Sequence, residues 1–155
     1  MSVEFLDAVD SRLIHALLQS GRASYEDLGQ AAGLSASAAL RRVRRLEEIG
    51  VIVGYAARLN LERLGMGLTA YVQVRMVKHA PGERRSPLDS FAGAVQTWEE
   101  VKECVSLSGE MDCLLKVVVS DMQAFSNFVM ERLLRHPSVQ DCKSSFVMRA
   151  IKQAP

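Results

Sequence analysis

Along LDAVDSRLIHALLQSG the apolar positions Leu6, Val9, Leu13, Ala16 and Leu17 recur at spacings of three and four. That spacing predicts a helix with one buried stripe. Gly21 is expected to end it, in the left-handed conformation that glycine adopts without steric penalty. SYEDLGQAAG predicts a short second helix, capped by Ser24, with Asp27 three residues on closing a capping box. Leu28 and Ala31 or Ala32 face inward, and Gly33 supplies the turn that follows. A third helix opens at Ser35, a good N-cap. Its apolar face is Ala36, Ala39, Leu40, Val43, Leu46 and Ile49. Arg41, Arg42 and Arg45 fall on the other face with Ser37 and Ala38, and Arg44 sits nearer the flank. Gly50 ends this helix. VIVGYAARL then predicts a strand-like hairpin or wing with a kink at Gly54.

From Asn60 the period changes. Leu68, Ala70, Val72, Val74 and Met76 alternate with Thr69, Tyr71, Gln73 and Arg75, the mark of a half-buried strand. KHAPGERRSP predicts a loop. Ser86 and Pro87 then cap and open a helix with the stripe Leu88, Phe91, Val95 and Trp98. VKECVSLS and CLLKVVVS predict two strands joined by a tight turn. Asp121 caps a helix through Arg135, with Met122, Phe125, Phe128, Val129 and Leu133 inward, until His136-Pro137 breaks it. VQDCKSSFVMRAIK predicts a last strand. The order β-α-β-β-α-β is the ferredoxin-like split. The fold class is therefore α+β: a winged helix-turn-helix over residues 1–60, its helix-turn-helix at about 25–44, then a ferredoxin-like module over 61–155.

Composition narrows the function classes. The 155 residues carry a net charge of +1. Residues 1–60 alone hold seven Lys/Arg against seven Asp/Glu, so any nucleic-acid contact must come from a local patch. No apolar run approaches 20 residues and the N-terminus lacks the basic start of a signal peptide, which predicts a soluble cytoplasmic chain without membrane partners. Cys104, Cys113 and Cys142 form no C-x-x-C pair, and reduced structural thiols are expected. His15, His79 and His136 are isolated in sequence. No nucleophile–base pair, metal triad or phosphate loop stands out, so no catalytic residue, metal or cofactor is expected.

The local patch is RRVRR, where Arg41, Arg42, Arg44 and Arg45 fall within five positions. An arginine run on a helix is most often a solvated face. Here it follows a capped short helix and a glycine turn, and it opens on Ser35 and Ser37, whose neighbouring backbone N–H groups suit a phosphate. That context predicts a recognition helix in the major groove of double-stranded DNA, contacting it through Ser35, Ser37, Ala38, Arg41, Arg42 and Arg45.

LDAVDSRLIHALLQSGRASYEDLGQAAGLS, RRVRRLEEIGVIVGYAARLN, LGMGLTAYVQV, VKECVSLSGEMDCLLKVVVSDM and SSFVM together resemble the Lrp/AsnC (feast/famine) family of bacterial and archaeal transcription regulators, over nearly the whole chain. The resemblance implies a DNA-binding N-terminal module and a regulator-of-amino-acid-metabolism (RAM, ACT-like) module that pairs its sheet with a second subunit. Dimers, tetramers or octamers are implied, with an amino acid or related metabolite bound between subunits. The family's G-x-x-D effector turn falls here on Gly109, Glu110, Met111 and Asp112, and Met122, Ser145, Phe146 and Val147 fall where relatives line the pocket. Glycine exposes backbone groups to a carboxylate, and aspartate holds an ammonium. Many relatives begin the recognition helix S-P-T-P-C. This chain has Ser35-Ala36-Ser37-Ala38-Ala39, and Cys113 replaces a frequent tyrosine. An effector-responsive regulator of the nucleoid compartment is the leading expectation. A nucleoid-type architectural protein with weak sequence preference is the second.

Overall fold

The computed structural model describes residues 6–78 and 85–152. Most of the KHAPGERRSP loop lies outside the described residues. The described chain divides into two compact units, residues 6–58 and 59–152.

The first unit is helical. Helix α1 spans Ala8–Gln19, α2 Tyr25–Ala32 and α3 Ala36–Glu48. Asp7 caps α1 and forms a reciprocal capping box with Asp10. Ser24 and Asp27 do the same for α2. Each box satisfies N–H groups that a helix start otherwise leaves unpaired. Leu13, Leu28, Ala32, Ala39 and Val43 meet in the core, with Val9, Ala16, Leu17 and Ile52 packed on it. Arg12 donates to the Ala32 carbonyl at 3.1 Å and ties α1 to the end of α2.

The turn between α2 and α3 depends on two glycines. Gly33 takes φ +74°, as its position predicts, and Gly29, inside α2, lets the next turn approach closely. A Cβ at Gly29 would lie 2.7 Å from the Leu34 carbonyl oxygen. That oxygen belongs to the backbone and has no flexible end to move.

Two expectations fail here. Gly21 does not end α1; Ser20 does, in extended conformation, by donating to the Ala16 carbonyl. Nor does VIVGYAARL form a winged hairpin. The N–H groups of Val51 and Ile52 both donate to the Leu46 carbonyl and finish the α3 terminus. The chain then runs on through residues 53–60 without strand structure. Tyr55 is pinned instead through its hydroxyl, which donates to Glu47 at 2.8 Å.

The second unit carries β1 (Leu68–Met76), α4 (Pro87–Val95), β2 (Val101–Ser106), β3 (Cys113–Val119), α5 (Met122–Asn127) and β4 (Val139–Phe146). The strands form one antiparallel sheet in the order β2-β3-β1-β4. Ala70, Val72, Val74 and Met76 of β1 and Cys113, Leu115, Val117 and Val119 of β3 enter one core with Phe91, Phe125, Phe128 and Leu133. The opposite face shows Tyr71 and Gln73 exposed. Beyond Asn127 the helix continues with π geometry over Phe128–Leu133 rather than as a regular helix to Arg135. The last strand stops at Phe146, shorter than its pattern predicts, although Val147 still donates to Thr69.

All three cysteines are free. Burial pushes the Cys113 thiol up to about 12 and raises Cys104 and Cys142. A protonated, enclosed thiol is neither a good nucleophile nor a ready metal ligand.

His136 lies edge-on to Phe91 and Trp98, at centroid distances of 5.4 and 6.1 Å. Its Nδ1 accepts from the Ser138 N–H. Burial lowers its pKa below the ordinary value of 6.5.

Two predictions follow from the packing. Gly29→Ala should destabilise the N-terminal unit by about 1–3 kcal/mol through overpacking, read as a lower urea midpoint. For His136 the unfolded chain binds the proton more readily than the folded one. Its contribution is full above pH 6.5 and is lost as pH falls through the lowered folded value. Melting of the C-terminal unit should therefore drop between pH 7 and 5, and His136→Gln should flatten that dependence.

Candidate nucleic-acid interface and effector turn

On an α-helix each residue turns the side chain by about 100°. Measured from Ser37, Arg41 lies about 40° round, Arg44 and Glu48 about 20° to either side, Arg45 about 80° and Arg42 about 140°. The outward stripe of α3 is therefore Ser37, Arg41, Arg44 and Glu48. A groove of about 380 Å³ runs along it, lined by Ser37, Leu40, Arg41, Arg44, Arg45 and Glu48. Arg41 and Arg44 are exposed. Arg44, which sequence reading set on the flank, sits inside the stripe. The spacing 37, 41, 44, 48 was the available signal. Leu40, counted with the apolar face, is half-buried and lines the same groove.

Arg42 is turned elsewhere. Its Nη1 donates to Asp7 Oδ2 at 2.6 Å and to Asp10 Oδ1 at 2.9 Å. Arg45 Nη1 reaches Asp10 Oδ2 at 3.4 Å. Asp10 is 1% exposed, so two guanidiniums and the Asp7 N–H compensate a buried carboxylate. Hydrogen bonds from Asp10 and Val9 backbone N–H groups and from Arg42 hold Asp7 below the usual carboxylate range. Ser35 accepts from the Ala38 N–H and lies 3.2 Å from the Ser37 hydroxyl. Its oxygen caps α3, while Ala38 is half-buried beside it.

In the second unit the G-x-x-D turn joins β2 to β3. Gly109 takes φ +142°, outside the range comfortable for other residues. Asp112 is held by its surroundings: its Oδ2 accepts from the Met76 N–H at 2.7 Å, and its own N–H donates to the Val74 carbonyl. Glu110 pairs with Arg75, and Lys143 approaches it at 3.6 Å. Arg75 also faces Asp141 at 3.7 Å, and its buried Nε has no hydrogen-bond partner. Met111 is buried. Arg75, Asp141 and Lys143 were not among the residues singled out from the sequence. Arg75 meets the turn because β1 pairs β3, and Asp141 and Lys143 because β4 lies beside β1.

The other effector candidates lie at the far end of the sheet. Phe146 is opposite Ala70, Ser145 opposite Tyr71, and Val147 donates to Thr69. Met122 follows β3 where Val119 pairs Leu68. Asp112 lies beside Val74 and Met76. At roughly 3.4 Å per residue, about 15 Å of strand separates the two groups. Met122 and Phe146 are exposed, and the Phe146 ring rests on Phe125 at 4.9 Å. One chain does not bring these residues into one pocket. Among the described residues no cluster of His, Cys, Asp and Glu is placed to hold a metal, and no helix is long and apolar enough to cross a membrane.

Comparison with known proteins bears on both units. Residues 6–47 match the AsnC-type helix-turn-helix domain and residues 69–155 the Lrp/AsnC ligand binding domain. The leucine-responsive regulatory protein of Escherichia coli is 40% identical over 149 residues, covering 96% of this chain and 88% of that one. That of Haemophilus influenzae is 39% identical over 148 residues, covering 96% and 87%. A Neisseria meningitidis transcriptional regulator solved in complex with L-methionine superposes with TM-score 0.90 at 39% identity, covering 97% of this chain and 94% of that one. With a helix-turn-helix unit and a four-stranded α+β unit each matching its model in order, the chain belongs to the Lrp/AsnC family of DNA-binding transcription regulators that carry a ligand-binding domain.

Proposed function

We propose that this regulator binds operator DNA through the outer stripe of α3 and that a small-molecule effector, an amino acid, is held between subunits of the C-terminal unit. The observation that carries the DNA half is the stripe itself. Ser37, Arg41 and Arg44 line one groove along a helix whose first N–H groups, as at any helix start, have no intrahelical partner. Arg41 and Arg44 suit phosphates or the O6 and N7 edge of guanine. Arg45 adds to the stripe from its side.

The effector half rests on the separation of its two groups of candidates. Gly109–Asp112 stand at one end of the sheet and Met122, Ser145, Phe146 and Val147 at the other. A second copy, set antiparallel against the first, brings the turn of one subunit to the Met122 and Phe146 end of its partner. The sheet face bearing Tyr71 and Gln73 is available for that pairing. Gly109 leaves backbone groups open to a carboxylate, and Asp112 Oδ1 remains for an ammonium while Oδ2 holds the strand end. The methionine bound by the Neisseria relative makes amino acids the first ligand class to try. The neutral charge of residues 1–60 disfavours a purely architectural role, because non-specific DNA binding is mostly electrostatic. Action in the cytoplasm on the nucleoid accords with such a role.

The test is a fluorescence anisotropy titration of duplex selected from a random pool, against an unselected duplex of equal length, with and without the twenty amino acids. Preference for the selected duplex that shifts with the pool is the expected result. Equal affinity for both duplexes and no shift sinks the regulatory reading in favour of the architectural one. Arg41→Ala and Arg44→Ala should each weaken binding and lower the slope of log K against log salt by about 0.9 per lost phosphate contact. Asp112→Ala should lower stability by about 1–2 kcal/mol without any effector, because the Met76 N–H loses its acceptor. Asp112→Asn, which keeps an acceptor but not the charge, should retain most of that stability and lose effector response, read by calorimetry with each amino acid.

A further inference from the structure

Of the arginines in RRVRR, Arg42 lies farthest from the stripe, and its partners sit on a different helix. Asp7 and Asp10 open α1 and form its capping box. Their carboxylates also accept hydrogen bonds from Arg42 Nη1, at 2.6 and 2.9 Å. Asp10 holds Arg45 as well, from its second oxygen. A carboxylate that is 1% exposed and compensated by two guanidiniums fixes the direction of each, because leaving the pair uncompensates a buried charge. The geometry makes one residue of α1 a hub that sets how α3 lies on α1 and where Arg45 extends.

We propose that Asp10 is a positioning residue for DNA binding and that Arg42, although it lies in the recognition helix, locks α3 to α1 and does not contact DNA. The proposal rests on the reading of the outer stripe of α3 as the DNA face. It goes against the simplest electrostatic expectation. A carboxylate close to a polyanion weakens association, so deleting its charge should strengthen binding if sign alone mattered. Positioning demands the reverse. With Asp10 neutral, Arg42 is released from one of its two anchors and Arg45 from its contact with Asp10 Oδ2. The stripe then loses its fixed orientation against the duplex, and sequence discrimination suffers more than bulk attraction does. Asp7 has a smaller share, since it is half exposed and holds Arg42 alone.

The experiment uses the full chain at a temperature where circular dichroism and a melt show each variant folded. Affinity is measured for the selected and the unselected duplex across a salt series. Asp10→Asn should bind the selected duplex several-fold more weakly, with the ratio between duplexes reduced. Arg42→Gln should leave the salt slope unchanged, since no phosphate contact is lost. Asp7→Asn keeps a good cap and should move affinity in the same direction by less, so it carries the test if Asp10→Asn does not fold. An Asp10→Asn protein that binds as tightly as the parent or tighter overturns the proposal. So does an Arg42→Gln slope lowered by about 0.9, the mark of a lost phosphate contact. Arg41→Ala separates the two readings. If it leaves both affinity and slope intact, the stripe is not the DNA face and both fall. If it lowers the slope while Asp10→Asn binds tighter, only the positioning role is lost.

Discussion

The C-terminal unit depends on β1 being paired on both edges. One strand meets β3 on one side and β4 on the other, both antiparallel, over nearly its whole length. Its alternate residues Ala70, Val72, Val74 and Met76 can then all enter the core, and every backbone group of the strand has a partner within reach. Antiparallel pairing on both sides also fixes geography. The turn after β2 and the end of β4 are sent to opposite ends of β1. The Met76 N–H is the last ladder position on the β3 side, and Asp112 fills it with a side-chain oxygen. The aspartate proposed to meet an effector is thus also the residue that finishes the sheet.

The N-terminal unit solves a different problem with charge. Its core is small, built from Leu13, Leu28, Ala32, Ala39 and Val43. Apolar area alone leaves the tilt of α3 weakly specified in so small a unit. Asp10 and Arg42 add a directional constraint, and Gly29 removes the side chain that would push the helices apart. Four arginines in five positions therefore serve two purposes. Arg41 and Arg44 face outward, and Arg42 faces the α1 carboxylates.

Much of this was legible in the sequence, and the failures have a common cause. Period and caps gave the helices and strands, because Ser24, Ser35, Ser86 and Asp121 act on backbone groups two or three residues away. Local chemistry of that kind is written in local sequence. The split β-α-β-β-α-β order followed from it. What was not legible depended on partners distant along the chain. Arg42 looked like its neighbours until Asp7 and Asp10, more than 30 residues away, claimed it. Arg75, Asp141 and Lys143 gather at the Gly109–Asp112 turn through strand pairing alone. VIVGYAARL has strand composition, yet a hairpin needs a second strand, and Leu46 takes the first two N–H groups for the helix end. Strand propensity without a partner leaves an extended chain.

An effector site split between two subunits, as proposed, has a thermodynamic consequence. A ligand that needs the turn of one subunit and the β4 end of another binds only where the subunits meet. Its binding free energy is then added to the association free energy, and assembly and ligand affinity each raise the other by the same factor. A site complete within one chain, and unchanged by association, carries no such linkage, since its ligand binds monomer and assembly alike and shifts neither. On the proposed shared site, the antiparallel register of β1 makes effector response and self-association one equilibrium.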